Sequence, residues 1–234
     1  LAWSEATGRN LVDCARAGIP VEIVAVPLAG FLSPVTLVGT LVQGTAENLS
    51  GVVLHQLAAP GAPLLWGTSA AVFDIRSEGA ATGAIETSML TCGMTEVGKR
   101  LGLPTQAYAG VSDAKELDAQ AGAESASGAL LAALAGVNSV SGAGLLELDN
   151  GFSLGKLVLD HELCGMALRL VRGVGPRDDF PALPLLGELL AEKHLLIARH
   201  TRRHLRSEIT FPGPAVDRSG EARWRADGAA TLGE

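Results

Sequence analysis

The sequence is poor in aromatic residues and in cysteine, and it has no long apolar run. Aromatic residues make up 4% of the 234 residues. The three cysteines, Cys14, Cys92 and Cys164, are scattered and form no CxxC motif, which argues against a disulfide framework or a zinc ribbon. No apolar run reaches the roughly 18 residues of a membrane helix, and no secretory signal pattern is seen. We therefore expect a cytoplasmic protein without a membrane segment.

Positive charge is also scarce. The chain has 18 Lys and Arg residues against 25 Asp and Glu residues, and its formal net charge is -7. An acidic chain of this kind is a poor match for the phosphate backbone of nucleic acids, so we expect no nucleic-acid partner. Hydrophobic residues make up 47% of the chain, which is typical of a globular protein with a substantial core.

A short phrase that contains glycine recurs along the chain. Its copies are Ala17-Gly18-Ile19-Pro20, Pro60-Gly61-Ala62-Pro63 and Leu101-Gly102-Leu103-Pro104, with Ala135-Gly136-Val137-Asn138 as a weaker fourth. Glycine directly after a helix adopts the left-handed conformation without a Cβ clash. Proline just beyond it cannot continue the helix. Each phrase therefore predicts the end of a helix followed by an extended segment.

An apolar strand is predicted after each phrase, and a helix after each strand. The strands are 21–26, 64–67, 105–110 and 139–142, and the helices are 35–57, 85–101, 116–134 and 154–171. The first helix carries apolar residues at Val38, Leu41, Val42, Leu49, Val52 and Val53. Short strands of small and branched residues that alternate with helices predict parallel pairing through right-handed β-α-β units.

Four such units make half of a TIM (β/α)8 barrel, which takes roughly 250 residues when complete. We therefore predict an α/β chain whose residues 1–175 are the C-terminal units of a TIM barrel, and whose residues 176–234 are a helical tail packing on it. One tail helix is predicted over 183–209, followed by loops and short turns. The first five residues read as the middle of a helix, so an N-terminal half is expected to be missing. A four-stranded open sheet is the alternative.

Polar and aromatic side chains follow the predicted strands, where a barrel has its active face. The loop after the second strand holds Trp66, Thr68 and Arg76, and a core position for Trp66 is an equal alternative. The most polar exit follows Tyr108 and holds Asp113 and Lys115. A solvated helix start capped by Asp113 is the alternative there.

Glycines mark the loop after the fourth strand. Gly142 and Gly144 begin a G-x-G-x-x-G pattern, but Glu147 stands where the third glycine belongs, so the dinucleotide signal is weak. Close approach of a flat ligand to the backbone is another reason for glycines here. His161 and Cys164 lie three residues apart on one helix and are an incomplete set of zinc ligands.

These motifs, in this order, resemble the trimethylamine methyltransferase family. The resemblance covers nearly the whole chain, and its most specific stretch is Ser112-Asp113-Ala114-Lys115 followed by Asp118-Ala119-Gln120-Ala121-Gly122. Other stretches that carry it are Pro34-Val35-Thr36-Leu37-Val38-Gly39-Thr40-Leu41, Trp66-Gly67-Thr68-Ser69 and His200-Thr201-Arg202-Arg203-His204-Leu205-Arg206-Ser207-Glu208. The resemblance implies a TIM barrel that transfers a methyl group from a small methylated amine to the cobalt of a corrinoid.

The resemblance also implies the cofactor, the partner and the class of substrate. The corrinoid is carried by a separate corrinoid protein, and no metal is expected on this chain. Members that use trimethylamine carry pyrrolysine, whereas this sequence has only standard residues. It is therefore more similar to the members that act on quaternary amines such as glycine betaine.

Candidate site residues follow from this reaction. A quaternary ammonium prefers aromatic faces, so Trp66 and Tyr108 are the first candidates for a cage, with Phe31, Phe73 and Phe152 behind them. Arg76 and Lys115 are candidates for the carboxylate of a betaine, and Thr68 and Asp113 complete the predicted substrate site. Gly110, Gly142 and Gly144 are predicted to face the corrinoid, and no catalytic residue is predicted.

Two other functions stay open at this point. One is a different TIM-barrel enzyme that binds a phosphate at Gly142 to Gly144, and the other is an inactive fragment or scaffold. Half a barrel exposes two open strand edges, so a homo-oligomer is expected.

Overall fold

The computed structural model describes residues 2–177 and 182–229. Its helices are Glu5–Ala17 (α1), Leu37–Ala58 (α2), Ile85–Arg100 (α3), Ala119–Ala135 (α4), Leu154–Val171 (α5), Leu183–Glu192 (α6), Arg199–Glu208 (α7) and Glu221–Ala226 (α8). Its strands are Val21–Ala25 (β1), Leu28–Ala29 (β2), Leu64–Thr68 (β3), Ala71–Asp74 (β4), Gly79–Ala81 (β5), Gln106–Tyr108 (β6), Ser139–Ser141 (β7), Leu145–Leu146 (β8) and Gly151–Phe152 (β9). No helix in these two ranges is long and apolar enough to cross a membrane.

The main strands are parallel, and this confirms the predicted mixed α/β class. β1 pairs with β3, and β6 pairs with β7. A single parallel bridge between Trp66 and Thr105 joins the two pairs, so the strands follow one another in space in the order β1, β3, β6, β7. The helices pack in series, α1 on α2 and onward to α5. The strands of the described residues do not close into a barrel.

The recurring glycine phrases end helices or turn the chain between a helix and a strand, as predicted. The φ angles of their glycines are 69°, 80°, 72° and 72° at Gly18, Gly61, Gly102 and Gly136. These are left-handed values that side chains with a Cβ rarely adopt. The four phrases therefore mark the boundaries of the repeated units because their glycines adopt a left-handed backbone conformation.

Three predictions about the ends of the chain are wrong. The first residues are not the middle of a helix, because α1 begins at Glu5 and the Ser4 hydroxyl caps it by accepting from the Thr7 N–H at 3.1 Å. The single tail helix over 183–209 is two helices, α6 and α7, because Lys193 adopts a left-handed φ of 61°. A six-residue helix, α8, lies in the segment that was predicted as loops and turns.

Helix α2 turns its polar and small residues toward the sheet. Its buried residues are Thr40, Gly44, Asn48, Gly51 and His55. Much of its apolar side is exposed, with exposed fractions of 72% for Val38, 65% for Val42 and 55% for Val53. The cause is close packing: a Cβ at Gly51 would lie 2.7 Å from Ile23 Cγ2. The helix sits too near β1 for large side chains on that face.

His55 is a buried histidine near the end of α2 whose protonation opposes folding. Its side chain is fully buried, Nδ1 lies 3.0 Å from Gln56 Nε2, and Nε2 has no partner among the described residues. Burial lowers the pKa of His55 below its ordinary value of 6.5. The unfolded chain therefore binds a proton at His55 more readily than the folded chain does.

We expect this histidine to make stability fall in mild acid. The contribution of His55 to the free energy of unfolding should be constant above the pKa of the unfolded histidine and should decrease as the pH falls from about 7 to about 5. Urea unfolding at a series of pH values measures this, with His55→Gln as the matched variant. The pH dependence of the difference between the two proteins isolates His55, and a constant difference over this range would contradict the expectation.

Two short extensions carry the sheet past the ends of β1 and β3. β2 continues β1 and pairs in parallel with β4, which continues β3, and β4 then turns back through a hairpin into β5. This hairpin rises beside the loops that follow β6 and β7. The strand-end rim, defined here as residues 79–83, 108–115 and 142–149, is where these three segments meet.

Candidate functional site

Asp113 joins the loop after β6 to the end of the β4–β5 hairpin. Its Oδ1 atom accepts hydrogen bonds from the Thr82 N–H at 3.0 Å, the Thr82 hydroxyl at 2.7 Å and the Gly83 N–H at 3.1 Å. Three donors on one oxygen hold the carboxylate in a single orientation at the rim. Asp113 is therefore a fixed negative charge that ties two segments of the rim together.

Glu124 of α4 supports the same loop from the helix layer. Its Oε2 atom accepts from the Ser112 hydroxyl at 2.6 Å and from the Asp113 N–H at 2.8 Å. The carboxylate lies so close to the hairpin end that a Cβ at Gly83 would meet it at 2.5 Å. The sequence analysis did not single out Glu124, because a glutamate inside a helix is usually a solvated surface residue.

The loop after β7 places a second aspartate at the rim. Glu147, Leu148 and Asp149 are consecutive non-glycine residues with positive φ angles of 51°, 56° and 68°. Such conformations persist only where the surroundings hold them, and here the Glu147 N–H donates to the Ala114 carbonyl at 2.9 Å. Burial raises the pKa of Asp149, and the charge of Asp113 raises it further. The charge of Lys156 opposes these two effects, so Asp149 lies within electrostatic reach of both charges.

A fully buried ion pair lies beneath the rim. Lys156 and Asp160, one turn apart on α5, have exposed side-chain fractions of 0% and 1%, and their charged atoms lie 2.6 Å apart. The Lys156 ammonium also donates to the Gly110 carbonyl at 2.7 Å, and Asp160 Oδ2 accepts from the Gly144 N–H at 2.7 Å. The sequence analysis missed both residues. The only signal was their spacing of four, which exposed helical pairs share.

Trp66 is a core residue and does not face the rim. It is fully buried, and its indole N–H donates to the Met94 carbonyl of α3 at 3.0 Å. A Cβ at Gly98 would lie 2.7 Å from its ring, so the ring packs against the helix layer. The prediction that Trp66 contributes to an aromatic cage is therefore corrected in favour of the alternative. Thr68, at the end of β3, is also buried, with its hydroxyl accepting from the Ala70 N–H at 3.3 Å.

Other aromatic rings lie where a ligand can reach them. Tyr108, the last residue of β6, is 39% exposed, and Phe152 of β9 is 59% exposed. Phe31 and Phe73 stack on each other with ring centroids 4.7 Å apart, and Phe31 stays 64% exposed. The structure thus separates the predicted aromatic residues into a buried Trp66 and four rings outside the core.

The chain is similar in sequence to proteins of known function along its whole length. The profile of the trimethylamine methyltransferase family matches residues 1–234. The chain belongs to this family. A trimethylamine methyltransferase of Desulfitobacterium hafniense (strain DSM 10664 / DCB-2) is 34% identical over 94% of this chain and 44% of its own length.

Relatives named for two different substrates have similar identity to this chain. The trimethylamine methyltransferase of Methanosarcina thermophila is 34% identical over 95% of this chain and 46% of its own length. The glycine betaine methyltransferase of Desulfitobacterium hafniense (strain Y51) is 32% identical over 96% of this chain and 47% of its own length. The chain spans less than half the length of the curated relatives it matches.

Both predicted cations, Arg76 and Lys115, are engaged by oxygen atoms of the chain, and of the two only Lys115 lies in the rim. Arg76, in the β4–β5 hairpin, donates to both oxygens of Asp74 at 3.0 and 3.2 Å, and these bonds lower the pKa of Asp74 to about 2. The Lys115 ammonium donates to the Asp113 carbonyl at 2.8 Å. Both side chains are exposed, so a ligand carboxylate competes with the protein for them in water.

The three predicted corrinoid-facing glycines have different surroundings. A Cβ at Gly142 would lie 2.6 Å from Val111 Cγ1, and one at Gly144 would lie 2.6 Å from the Phe152 ring. Both glycines are therefore needed for contact with the chain itself, and this is a physical reason for them that the sequence analysis did not consider. Gly110, with a φ of 73°, has no atom within 4 Å of its Cβ position, but the residue itself is buried.

The proposed pair of zinc ligands does not extend to a metal site. In residues 2–177 and 182–229, no group of three or more His, Cys, Asp and Glu side chains is arranged to hold a metal ion. Cys164 lies one turn beyond Asp160, and burial raises the pKa of its thiol, with the Asp160 charge adding to the effect. Cys164 is therefore a protonated thiol near neutral pH.

Proposed function

We propose that this chain is part of an enzyme that transfers a methyl group from a small methylated amine, such as glycine betaine, to the cobalt of a corrinoid held by a partner protein. The observation that carries this proposal is that the chain belongs to this family and that three hydrogen bonds fix the Asp113 carboxylate at the rim, with the exposed Asp149 on the neighbouring rim segment. A quaternary or protonated amine is a cation, and fixed carboxylates in a partly desolvated site attract it.

The rim residues bind and orient the amine in this proposal. Asp113 and Asp149 supply the negative potential, Tyr108 offers an aromatic face worth roughly 0.5–2 kcal/mol to a quaternary ammonium, and Lys115 is available for the carboxylate of a betaine. The apolar face of a corrinoid would lie against Phe31, which is 64% exposed and stacks on Phe73 of the β4–β5 hairpin. A bound corrinoid would supply reduced cobalt as the nucleophile for the methyl group. The protein's part is to align the groups and exclude water.

We further propose that the four β/α units, residues 1–175, belong to a TIM (β/α)8 barrel, with residues 176–234 packing on it. The strand order supports this, and so does the sheet face that lies away from α2 and α3. That face carries Gln106, whose Nε2 donates to the Ser141 hydroxyl at 3.0 Å, while its buried Oε1 has no partner among the described residues. Inward-pointing side chains of the strands fill the interior of a closed barrel, and Gln106 and Ser141 would belong to that filling. If the chain acts without further strands, its open sheet edges favour a homo-oligomer.

A phosphate at Gly142 to Gly144 is a weaker alternative. The Gly144 N–H donates to the buried carboxylate of Asp160. An anion at this backbone would therefore meet a negative charge in place of a free donor.

Spectroscopy of the cobalt tests the proposed reaction. The natural full-length protein is mixed with cobalamin reduced to cobalt(I), or with the co-purified corrinoid protein, and glycine betaine, carnitine, proline betaine and trimethylamine are added in turn. We expect the cobalt(I) absorption band to disappear with one of these amines. Persistence of the band with every amine and both corrinoid forms would overturn the proposal.

A matched pair of variants tests the role of the rim. Asp149→Asn removes one charge at the rim, whereas Asp13→Asn removes one from the exposed face of α1. We expect KM for the amine to rise about tenfold in the first variant, equivalent to about 1.4 kcal/mol of binding, and to stay unchanged in the second. Equal KM values in the two variants would remove Asp149 from the site.

A further inference from the structure

We propose that Lys156 and Asp160 are positioning residues that set the spacing of the β6 and β7 strand ends, and through it the geometry of the rim. This inference rests on the proposed function, because it assigns the pair a role in the same site. Neither side chain reaches the rim surface, so neither is expected to touch the amine.

The two residues of the pair lie on one helix, α5, and contact the segments that follow two neighbouring strands, β6 and β7. Lys156 Nζ holds the Gly110 carbonyl, directly after β6, and Asp160 Oδ2 holds the Gly144 N–H, directly after β7. The regular pairing of the two strands ends with the bond from the Ala109 N–H to the Ser141 carbonyl at 2.8 Å. The ion pair therefore links the segments that follow β6 and β7 at the point where hydrogen bonds between the two strands end.

A stabilising role alone is a poor explanation for this pair. Removing two charges from water has a desolvation penalty that their attraction offsets only when the geometry is excellent, and an apolar pair of similar volume is often at least as stable. The second oxygen of Asp160, Oδ1, is buried and has no partner among the described residues. What charged side chains do here, and apolar ones cannot, is hold a carbonyl and an N–H at defined distances.

The rim residues depend on these two anchors. Asp113 follows Gly110 by three positions and Asp149 follows Gly144 by five. One further backbone bond, from Glu147 to Ala114, joins the two loops beyond the anchors. Without the ion pair, the Gly110 carbonyl keeps the Ser125 hydroxyl as a donor at 3.2 Å, whereas the Gly144 N–H has no other partner among the described residues. The loop after β7 can then shift relative to the loop after β6. A misplacement of about 1 Å is enough to reduce a rate roughly 100-fold.

The double variant Lys156→Met/Asp160→Leu separates positioning from stability. It removes both anchors and leaves no unpaired buried charge. In the full-length protein with its corrinoid acceptor, we expect kcat for methyl transfer to fall about 100-fold and KM to change much less. The urea midpoint should fall less than in Lys156→Met alone, because no charge is left unpaired and only the Gly144 N–H loses its partner. The control is Glu96→Gln/Arg100→Met, an exposed pair with the same spacing on α3, for which all three quantities should be unchanged.

Hydrogen exchange gives a second readout that does not need the reaction. Peptides that cover 110–116 and 142–150 should exchange faster in the Lys156→Met/Asp160→Leu variant, while those from α2 stay unchanged. A wild-type kcat together with unchanged exchange would overturn the positioning role. If the double variant does not fold, Asp160→Asn takes its place. Wild-type exchange together with wild-type kcat in Asp160→Asn would then contradict the positioning role.

Failure of the proposed function has a different signature. If the wild-type protein never methylates cobalt, the proposed reaction is wrong. The exchange experiment still tests whether Lys156 and Asp160 hold the strand ends.

Discussion

Replacement of Trp66 by alanine should destabilise the protein by about 3–5 kcal/mol, the usual loss when a buried tryptophan is truncated in a core. Trp66 is fully buried between β3 and α3, and its indole N–H bond to the Met94 carbonyl is lost with the ring. The neighbouring helix cannot easily collapse into the space, because α3 is held against the sheet along its length.

Chemical unfolding followed by circular dichroism measures this loss. Trp3→Ala is the matched control, since Trp3 is 40% exposed and its indole donates only to the Ser50 hydroxyl. We expect the control to destabilise the protein far less. A Trp66→Ala variant that kept wild-type stability and lost amine binding would contradict the core assignment and restore Trp66 to an aromatic cage.

Replacement of Lys156 alone by methionine should also destabilise the protein by about 3–5 kcal/mol, because it leaves a buried carboxylate without its counter-ion. Asp160 would keep only the Gly144 N–H as a donor among the described residues. The same urea titration measures the effect. Arg100→Met, which breaks an exposed pair with Glu96, should change stability by less than about 1 kcal/mol.

The double variant distinguishes an unpaired charge from lost packing. If the single variant is destabilised by the isolated carboxylate, adding Asp160→Leu should recover most of the loss. A double variant as unstable as Lys156→Met would indicate that packing of the lysine stem, and not its charge, is what the fold requires. Little loss in the single variant would show that water reaches Asp160.

The repeat could be predicted from the sequence because its signals are local. Glycine followed by proline or an extended segment has the same backbone consequence wherever it occurs. The four phrases therefore predicted where helices end, and the predicted bounds of α2, α3 and α5 agree with the structure within two residues. Local rules failed in the tail, where a left-handed Lys193 divides one predicted helix into two.

The candidate site was only partly predictable. Asp113 and Lys115 stand at a strand exit that the sequence analysis selected for its polarity, and the structure places both at the rim. Glu124 and Lys156 could not be selected from the sequence. A charged residue inside a helix gives the same pattern whether its side chain lies in water or contacts the end of a strand. The strained Asp149 turn escaped notice too, since no glycine marks it.

The sequence by itself determined the alternation of strands and helices, the points at which helices end, and the family. Only the tertiary structure decided which faces are buried. In α2 the close approach to β1 buried glycine, asparagine and histidine and left Val38 and Val42 exposed. The tertiary structure also buries Trp66 in the core and brings the Lys156–Asp160 pair into contact with the ends of two strands. Periodicity reports which residues share a face, but the distance to the neighbouring element determines which face can lie against it.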